Sequence, residues 1–340
     1  NQSVQLKKHG AGYKGLCPFH AENTPSFNVS STKQFYHCFG CGASGDVIKF
    51  LRENDGLTFM EAIEKLASLA NVEIPKTGNY HKNNNQLLVE INNFAMELYF
   101  KNLKNNDEAK KYLTNRNIDE EMIEYFKIGL AVNSWDNLTK ILKDKGKIKE
   151  GIDLGLLVKN GDKLYDRFRN RIMFPIKNTS GKVIAFGGRA LSNDDNAKYI
   201  NSPESELFHK SSEVYGLHES KSYIGKKDGL VIVEGYTDVI ALHKNGFNNA
   251  VAALGTAFTK QHVAKLLRYS KNIIFCFDGD QAGKNAAWKA LVNCLPEIRD
   301  GVKISFSFLK DGTDPDEICN NNPKEFQAKL SFYGLLLHFS

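Results

Sequence analysis

Asp228-Gly-Leu-Val-Ile-Val-Glu-Gly-Tyr-Thr-Asp238 and Ile273-Ile-Phe-Cys-Phe-Asp-Gly-Asp280 are the two stretches that decide the fold of this chain. Each contains a short, continuous apolar run, which is typical of a strand buried on both faces of a parallel sheet. The first run ends at Glu234, and the second ends at Asp278 and Asp280. In parallel α/β sheets, ligands bind outside the carboxyl ends of the strands. The two stretches therefore predict a divalent-metal site that contains three carboxylates.

Residues 228–321 alternate between strand and helix patterns, as in a doubly wound α/β domain. Strands are predicted at 230–234, 249–254, 272–278 and 302–309, and helices at about 237–246, 259–269, 281–295 and 314–321. Right-handed crossovers between these strands would make the sheet mainly parallel.

Further carboxylates follow the fourth predicted strand. Asp314 and Asp316 repeat the spacing of Asp278 and Asp280, and residues two apart on extended backbone face the same way. Helix N-capping is the alternative for a single acid at such a place. Capping does not account for all of these acids together with Glu234, so the pattern favours metal binding.

The N-terminal region contains Cys17-Pro-Phe-His20 and Cys38-Phe-Gly-Cys41. Two closely spaced ligand pairs separated by a linker are typical of a closed, structural zinc site. The intervening residues 26–29 and 34–37 predict the strands of a hairpin, so we interpret this region as a zinc ribbon. Its aromatic and basic residues suit single-stranded nucleic acid, although the aromatic rings could equally form the ribbon core. These residues are Lys14, Lys33, Phe35, Tyr36 and Phe39.

The middle of the chain is basic. Residues 159–227 carry 13 basic and 8 acidic side chains, whereas residues 228–319 carry 10 and 11. Arg167, Arg169 and Arg171 alternate before an apolar run, which predicts a strand with one basic face. A solvated surface is the default explanation for any single one of these residues. Several together favour contact with phosphates.

Composition sets the limits on the class of protein. A length of 340 residues allows about two or three domains, and a hydrophobic content of 41% excludes global disorder. No apolar run approaches the ~20 residues of a membrane span, and no signal peptide is visible at the N-terminus. Three of the six cysteines cluster with one histidine, which indicates a metal site in a reducing compartment.

These motifs together resemble the bacterial, DnaG-type DNA primases. The cysteine and histidine pairs are similar to the zinc-binding domain of that family, and Glu234-Gly-Tyr-Thr-Asp238 with Asp278-Gly-Asp280 to the acidic motifs of its TOPRIM domain. The basic motifs also match, in the order of the family: Arg167-Phe-Arg-Asn-Arg171, Gly187-Gly-Arg189, Lys198-Tyr-Ile-Asn-Ser-Pro203 and Phe208-His-Lys210.

The resemblance implies a multidomain chain with α+β and α/β parts. We expect a zinc-ribbon domain (1–72), a polar linker (73–86), a mixed α+β basic subdomain (87–227), a TOPRIM domain with a Rossmann-like parallel sheet (228–325), and the start of a helical region (326–340). The chain begins without Met and ends soon after the TOPRIM motifs. We therefore expect a fragment that lacks the first helices of the zinc domain and the helicase-binding domain.

The activity that the resemblance implies is DNA-directed synthesis of short RNA primers from nucleoside triphosphates during replication, by metal-dependent nucleotidyl transfer. Glu234, Asp278 and Asp280 would be catalytic and, with Asp314, would bind two or more Mg²⁺ or Mn²⁺ ions. Asp238 and Asp316 would lie behind these ligands or hold a further ion. One structural Zn²⁺ would bind the cysteine and histidine pairs. The expected nucleotide and nucleic-acid contacts are Arg116, Arg171, Arg189, Lys198 and Lys210.

The implied partners are single-stranded DNA template, nucleoside triphosphates and the RNA–DNA hybrid, with no membrane. A replicative helicase would bind through the C-terminal domain that is absent here, and the place of action would be the cytoplasm at the replication fork. Two other functions stay open: a TOPRIM topoisomerase or nuclease, and a non-catalytic zinc-ribbon protein that binds single strands. No nucleophilic tyrosine on another domain stands out for the topoisomerase, and the intact acids argue against the non-catalytic protein.

Overall fold

The computed structural model describes residues 4–20, 22–54, 59–70, 72, 79–192, 197–224, 229–255, 258–298, 300–310, 312–331 and 335–338. The chain forms two compact units, Asn1–Thr77 and Gly78–Ser340. The first unit contains the predicted zinc ligands, and the second contains the predicted carboxylate site.

The first unit is a five-stranded antiparallel sheet followed by two helices. Its elements are β1 Leu6–His9, β2 Gly12–Gly15, β3 Phe27–Ser30, β4 Phe35–Cys38, β5 Ser44–Gly45, α1 Val47–Asn54 and α2 Phe59–Ala70. The strands lie in the sheet in chain order, and the predicted hairpin is present as β3 paired with β4. Tyr36 and Cys38 are buried in a small core, whereas Phe35 and Phe39 are exposed. The two-residue alternation of a strand therefore leaves one aromatic row in solvent.

The second unit opens with helices and an antiparallel sheet. Its first elements are α3 Asn79–Lys104, α4 Asp107–Thr114, α5 Glu120–Phe126, β6 Gly129–Ala131, α6 Asn137–Asp144, α7 Ile148–Asp153, β7 Leu157–Asn160, β8 Lys163–Asp166, β9 Arg171–Lys177, β10 Val183–Ala190, β11 Tyr199–Asn201, β12 Val214–Tyr215 and α8 Leu217–Ser220. Strands β11, β10, β9 and β6 form one sheet in that order, and β7 pairs with β8 separately.

The remaining elements build the predicted parallel sheet. They are β13 Leu230–Val233, α9 Tyr236–Lys244, β14 Ala250–Ala253, α10 Lys260–Leu266, β15 Asn272–Phe277, α11 Gln281–Cys294, β16 Lys303–Phe308, α12 Pro315–Asn321, α13 Pro323–Ser331 and β17 Leu335–His338. The order is β12-β14-β13-β15-β16-β17. The central pairs are parallel, and β12 and β17 close the edges antiparallel. The four predicted strands are confirmed, and each boundary agrees within one residue.

An aromatic core joins the four-stranded antiparallel sheet of the second unit to its six-stranded sheet. Phe174 from β9 stacks on Tyr236 at the start of α9, with ring centroids 4.9 Å apart. The Tyr236 hydroxyl donates to Asn201 Oδ1 at 2.7 Å. A Cβ at Gly187 would lie 2.3 Å from the Tyr236 ring, so only glycine fits opposite it. This packing fixes the start of α9, and therefore Glu234 just before it, against the antiparallel sheet.

Helix α3 begins inside the stretch that was predicted to be a linker. Residues 79–86 of the predicted linker (73–86) are helical, and residues 73–78 lie outside the described residues. The structure differs from the expectation over residues 79–86, because Asn, His and Lys differ from alanine by less than about 1 kcal/mol each in helix propensity. A polar run can therefore extend a helix that tertiary packing stabilises farther on. Neither α3 nor any other helix in the described part of the chain has the length and apolar character to cross a membrane.

The alternating arginines do not share one strand face, contrary to the prediction. Asn170 adopts a φ of 49°, a left-handed conformation that interrupts extended backbone. Arg171 therefore begins β9, whereas Arg167 and Arg169 lie in the connection after β8.

The helical region predicted for residues 326–340 is only partly helical. Helix α13 ends at Ser331, and Leu335–His338 pairs with β16 as an edge strand. The open edge of a sheet presents unpaired N–H and C=O groups, and this short apolar run satisfies those of β16.

Candidate zinc site and candidate carboxylate metal centre

The predicted zinc ligands come together in the first unit. Cys17, His20, Cys38 and Cys41 each offer one ligand atom, and these atoms all lie within 4.8 Å of one another. The Cys17 and Cys41 sulfurs are 3.8 Å apart, and the Cys38 sulfur is 3.8 Å from His20 Nδ1. A tetrahedral zinc ion with Zn–S distances of about 2.3 Å holds its ligand atoms about 3.8 Å apart. The donor set and its spacing therefore fit zinc.

Backbone N–H groups surround the Cys38 sulfur. It accepts hydrogen bonds from Gly40 at 3.4 Å and from Cys41 at 3.5 Å, and the Ser26 hydroxyl lies 3.0 Å away. Burial would raise the pKa of the Cys38 thiol, but the hydrogen bonds from Ser26 and from these backbone groups outweigh it and lower the pKa. The thiolate is the form that binds metals, so the loop prepares this ligand.

The predicted carboxylates gather at the carboxyl ends of β13, β15 and β16. Glu234 follows β13, and Asp278 and Asp280 follow β15. The others lie at the starts of the helices that come next, namely Asp238 in α9 and Asp314 and Asp316 at α12. The topology thus brings six acids from three strand–helix junctions to one edge of the sheet, as parallel strands require.

Backbone hydrogen bonds orient three of these carboxylates. Glu234 Oε1 accepts from the Asp278 N–H at 3.1 Å, and Asp238 Oδ2 accepts from the Gly235 N–H at 2.8 Å. Asp280 Oδ1 accepts from the Gly283 N–H at 2.7 Å and caps α11. The capping alternative therefore holds for Asp280, whereas Asp314 occupies the N-cap position of α12 without a side-chain cap bond.

The six acids at this sheet edge, here called the acidic group, repel one another electrostatically. Burial, Glu234, Asp314 and the other acids together raise the pKa of Asp278 to about 7. Burial and the charges of Asp280 and Asp314 also raise the pKa of Glu234. Buried Asp238 is shifted in the same direction, first by burial and then by Asp316. Crowded carboxylates of this kind are stabilised in their charged form by bound cations.

A close backbone contact holds the loops of β15 and β16 together. A Cβ at Gly279 would lie 1.9 Å from the Lys310 carbonyl oxygen, and the Gly279 N–H donates to the Thr313 oxygen at 3.2 Å. A Cβ at Gly283 would lie 2.2 Å from the Asp278 oxygen. The absence of a side chain at Gly279 lets the loop that carries Asp278 lie beside the loop that leads to Asp314, and its absence at Gly283 lets the start of α11 lie against the Asp278 backbone.

We expect Gly279→Ala to disrupt the acidic site. The added methyl cannot fit against the Lys310 carbonyl, and overpacking of this kind costs about 1–3 kcal/mol. Separation of the two loops should also lower metal-dependent activity by about tenfold or more. Urea unfolding and a Mg²⁺ titration would measure both effects. Gly312→Ala is the control, because its Cβ meets no atom within 4 Å and only its φ of 79° opposes alanine. Equal loss of activity in both variants would contradict the contact.

Two of the predicted phosphate-binding arginines are buried. Arg171 donates to the carbonyl oxygens of Ala197 at 2.9 Å and Gly188 at 3.4 Å. Arg189 donates through Nε to the Tyr112 hydroxyl at 2.6 Å and through a terminal nitrogen to the Tyr199 hydroxyl. These donors are directed at protein groups, which the sequence pattern did not predict. Arg171 thereby holds the segment that leads into Lys198.

The other predicted phosphate-binding residues, which are basic, are more accessible to solvent. Lys198 and Arg116 are exposed, and Lys210 is half-buried. Arg116 lies over the Tyr112 ring, 5.3 Å from its centroid. Burial and the charge of Asp314 raise the pKa of Asp316, and the charge of Arg116 offsets only part of this rise. Tyr112, Arg116 and Asp316 line one cleft of ≈ 460 Å³.

An aromatic stack that no sequence motif indicated lies on the surface of the second unit. Trp135 is 65% exposed, and the Arg169 guanidinium lies 4.1 Å from its ring centroid. The same guanidinium lies 5.4 Å from Tyr165. An arginine stacked on exposed aromatic rings forms a surface to which unpaired bases can add. A lone Trp has no spacing pattern, and Tyr165 and Arg169 come 30 and 34 residues later, so only the fold reveals the stack.

Three family models match consecutive parts of the chain. Residues 1–82 match the CHC2 zinc finger, residues 98–221 match the N-terminal domain of the DNA primase catalytic core, and residues 228–307 match the Toprim domain.

The curated relatives are DNA primases. The chain is 45% identical over 341 residues to that of Pseudomonas aeruginosa PAO1 and 44% identical over 337 residues to that of Escherichia coli K12. Each match covers 96% of this chain, but 51% and 58% of the relatives. The chain thus spans about half the length of the curated relatives that it matches.

Solved structures agree with these matches. The zinc-binding and RNA polymerase domains of Aquifex aeolicus primase are 34% identical, with a TM-score of 0.69, over 99% of this chain and 82% of that chain. A DnaG primase catalytic domain bound to single-stranded DNA is 42% identical, with a TM-score of 0.69, over 74% of this chain and 82% of that chain. Because relatives above 30% identity are covered for four fifths of their length, the chain belongs to the DnaG-type DNA primase family.

Proposed function

We propose that this chain carries the zinc-binding and nucleotidyl-transfer parts of a primase that makes short RNA primers from nucleoside triphosphates on single-stranded DNA. The six carboxylates carry this proposal, because acids that repel one another at one sheet edge are stabilised in their charged form by bound cations. Glu234, Asp278 and Asp280, with Asp314, are the proposed ligands of Mg²⁺ or Mn²⁺, for which carboxylate oxygens are the preferred donors.

The bound cations would activate the attacking hydroxyl and neutralise charge on the pyrophosphate that leaves. The protein's own residues supply position. The hydrogen bond from the Asp278 N–H holds Glu234, and the cap on α11 holds Asp280. Asp238 is buried and its carboxylate is fixed by the Gly235 N–H, so we assign it a place behind the ligands. Asp316 lies on the cleft beside Arg116.

Accessible lysine and arginine side chains would bind the phosphates of the nucleoside triphosphates and of the RNA–DNA hybrid. Lys198, Lys210 and Arg116 are the candidates, because their side chains are wholly or partly exposed. Arg171 and Arg189 would support this surface from behind through their bonds to the backbone and to tyrosines. Phosphate contacts supply most of the salt-dependent affinity for nucleic acid.

Exposed aromatic rings would bind the template. In the first unit Phe35 and Phe39 are 46% and 75% exposed, and the His37 ring lies 4.6 Å from that of Phe39. In the second unit Trp135 and Arg169 provide a stack of a cation on an aromatic ring. The related DnaG domain bound to single-stranded DNA supports the same ligand for this chain.

We expect Trp135→Ala to weaken binding of single-stranded DNA by about tenfold. Base–aromatic stacking contributes about 1–3 kcal/mol per base, and 1.4 kcal/mol corresponds to a factor of ten. Fluorescence anisotropy with a labelled oligonucleotide measures the change. Trp288→Ala is a matched control, because this Trp is 67% exposed on α11 with no described arginine stacked on it. Equal losses in both variants would contradict the assignment.

One assay separates the proposed function from its two alternatives. The chain is incubated with single-stranded DNA, the four ribonucleoside triphosphates and Mg²⁺. Primase activity gives short RNA products that depend on the template, a topoisomerase or nuclease gives relaxed or cleaved DNA, and a binding protein gives neither. Absence of RNA products at saturating Mg²⁺ and Mn²⁺ would remove the proposal for this chain. Contact with a replicative helicase and action at the replication fork belong to the same proposal.

A further inference from the structure

Glu22 contacts the candidate zinc site without being one of its ligands. It lies between the two ligand pairs in sequence, and its side chain is 10% exposed. Its Oε2 atom is 3.3 Å from His20 Nε2. Its Oε1 atom accepts hydrogen bonds from the backbone N–H groups of Cys17 at 2.7 Å and Ser26 at 3.0 Å. The two oxygens of one carboxylate therefore connect a ligand ring to the loop that carries another ligand.

The two nitrogens of His20 face different groups. Nδ1 faces the ligand cluster, 3.8 Å from the Cys38 sulfur, and Nε2 faces Glu22. A neutral imidazole carries one proton, so the nitrogen that binds a metal must be the one without it. An ionised carboxylate only accepts hydrogen bonds, so it favours the proton on Nε2 and leaves the Nδ1 lone pair free.

The negative charge of Glu22 would by itself oppose zinc binding at this site. A zinc ion with three thiolates and one imidazole already carries a net charge of −1, so a nearby carboxylate adds repulsion. Its hydrogen bond to the ring gives the compensating advantage, because outer partners of ligand histidines orient the ring and raise its basicity. Gly40 leaves the space that this arrangement needs, since a Cβ there would lie 2.7 Å from His20 Nε2.

We propose that Glu22 is a positioning residue of the zinc site, which holds His20 in the tautomer that binds the metal through Nδ1. The competing explanation is that Glu22 only braces the loop through its Oε1 contacts with Cys17 and Ser26. This proposal concerns metal binding in the first unit and does not depend on primer synthesis.

Glu22→Gln separates the two explanations. The amide oxygen can still accept from Cys17 and Ser26, but the amide NH₂ then faces His20 Nε2 as a donor. The ring must accept there and carry its proton on Nδ1, where it blocks the metal. If the amide turns round, its NH₂ meets the two backbone donors. Either orientation leaves one contact of the wild-type carboxylate unsatisfied.

The experiment is a double-mutant cycle on the whole chain, with zinc affinity measured by competition against a chelator. Glu22→Gln should weaken zinc binding by about 10- to 100-fold in the presence of His20. In the His20→Cys background, which has no ring to orient, Glu22→Gln should change the affinity by less than about threefold. Glu53→Gln is the control, because Glu53 accepts from the Tyr36 hydroxyl at 3.0 Å in the same unit and makes no described contact with the ligands.

Two results would overturn the proposal. An equal loss of zinc affinity in both backgrounds would mean that Glu22 only braces the loop. No loss of zinc affinity in the His20 background would mean that Glu22 has no role in zinc binding. Long-range ¹H–¹⁵N spectra of the zinc-loaded wild-type protein test the same point without a substitution. We expect a protonated Nε2 and a metal-bound Nδ1 on His20. A protonated Nδ1 with metal on Nε2 would contradict the proposal even if a variant failed to fold.

Discussion

Asp278→Asn is expected to lower primer synthesis by about a thousandfold or more while leaving the fold intact. Asp278 lies at the sheet edge where the carboxyl ends of β13, β15 and β16 meet, and its backbone N–H also orients Glu234. An asparagine keeps the shape and that backbone donor, but it removes one negative charge from the cation site. Loss of a ligand in a metal-dependent phosphoryl-transfer site removes stabilisation of the transition state. Wild-type rates in Asp278→Asn would exclude this residue from the site.

The same substitution should stabilise the protein when no Mg²⁺ is added. The unfolded chain loses the Asp278 proton near the ordinary pKa of about 3.9, whereas the folded protein keeps it up to a pKa of about 7. The folded state therefore binds more protons between these values, and the free energy of unfolding falls as pH rises from about 4 to 7. Asparagine does not titrate, so Asp278→Asn removes this residue's contribution to the fall in the free energy of unfolding. Because the group is partly exposed, we expect a gain of only about 1–2 kcal/mol at pH 8.

Urea unfolding at pH 5 and pH 8 measures this effect, with zinc retained and Mg²⁺ left out. The wild type should lose stability between the two pH values, and Asp278→Asn should lose less. Added Mg²⁺ should reverse the order at pH 8, because a ligand stabilises the state that binds it. Asp144→Asn, at an exposed position at the end of α6, is the control. Identical pH slopes in wild type and Asp278→Asn would refute the electrostatic account of the site.

The sequence identified the parts of the molecule that depend on local pattern. Strands β13 and β15 were predictable because buried parallel strands are continuous apolar runs, and their acids followed from the position of the strand ends. The zinc ligands were predictable from their spacing. These features need few residues that are close in the chain.

Features that depend on distant packing were not predictable in the same way. Arg189 looked like a phosphate ligand, but Tyr112, 77 residues away, takes its Nε donor. Edge strand β17 formed because the edge of β16 was open, which is a property of the assembled sheet. Glu22 carries no spacing signal, and its role is visible only when the His20 ring is in place.

Removal of zinc is expected to unfold the first unit and leave the second unit folded. Among the described residues of the first unit, the core cluster around the ligands contains four buried side chains, two of which are the ligands Cys17 and Cys38. A core in a domain below about 80 residues supplies only about 3–5 kcal/mol, whereas structural zinc contributes about 10 kcal/mol or more. In the part of the chain that the structure describes, the three core clusters of the second unit are built from that unit's own residues, so zinc removal takes no side chain out of them.

Hydrogen exchange followed by mass spectrometry measures this outcome segment by segment. A zinc-selective chelator is added in excess Mg²⁺, so that the carboxylate site keeps its own cation. Amides of β3 and β4 should become unprotected, while those of β13 and β15 keep their protection. Cys276→Ser, a buried cysteine on β15 outside the zinc ligands, should respond to the chelator as the wild type does. Loss of protection in both units in a single transition would show that the second unit needs the zinc, because two separately stabilised cores cannot unfold together when only one of them holds the metal.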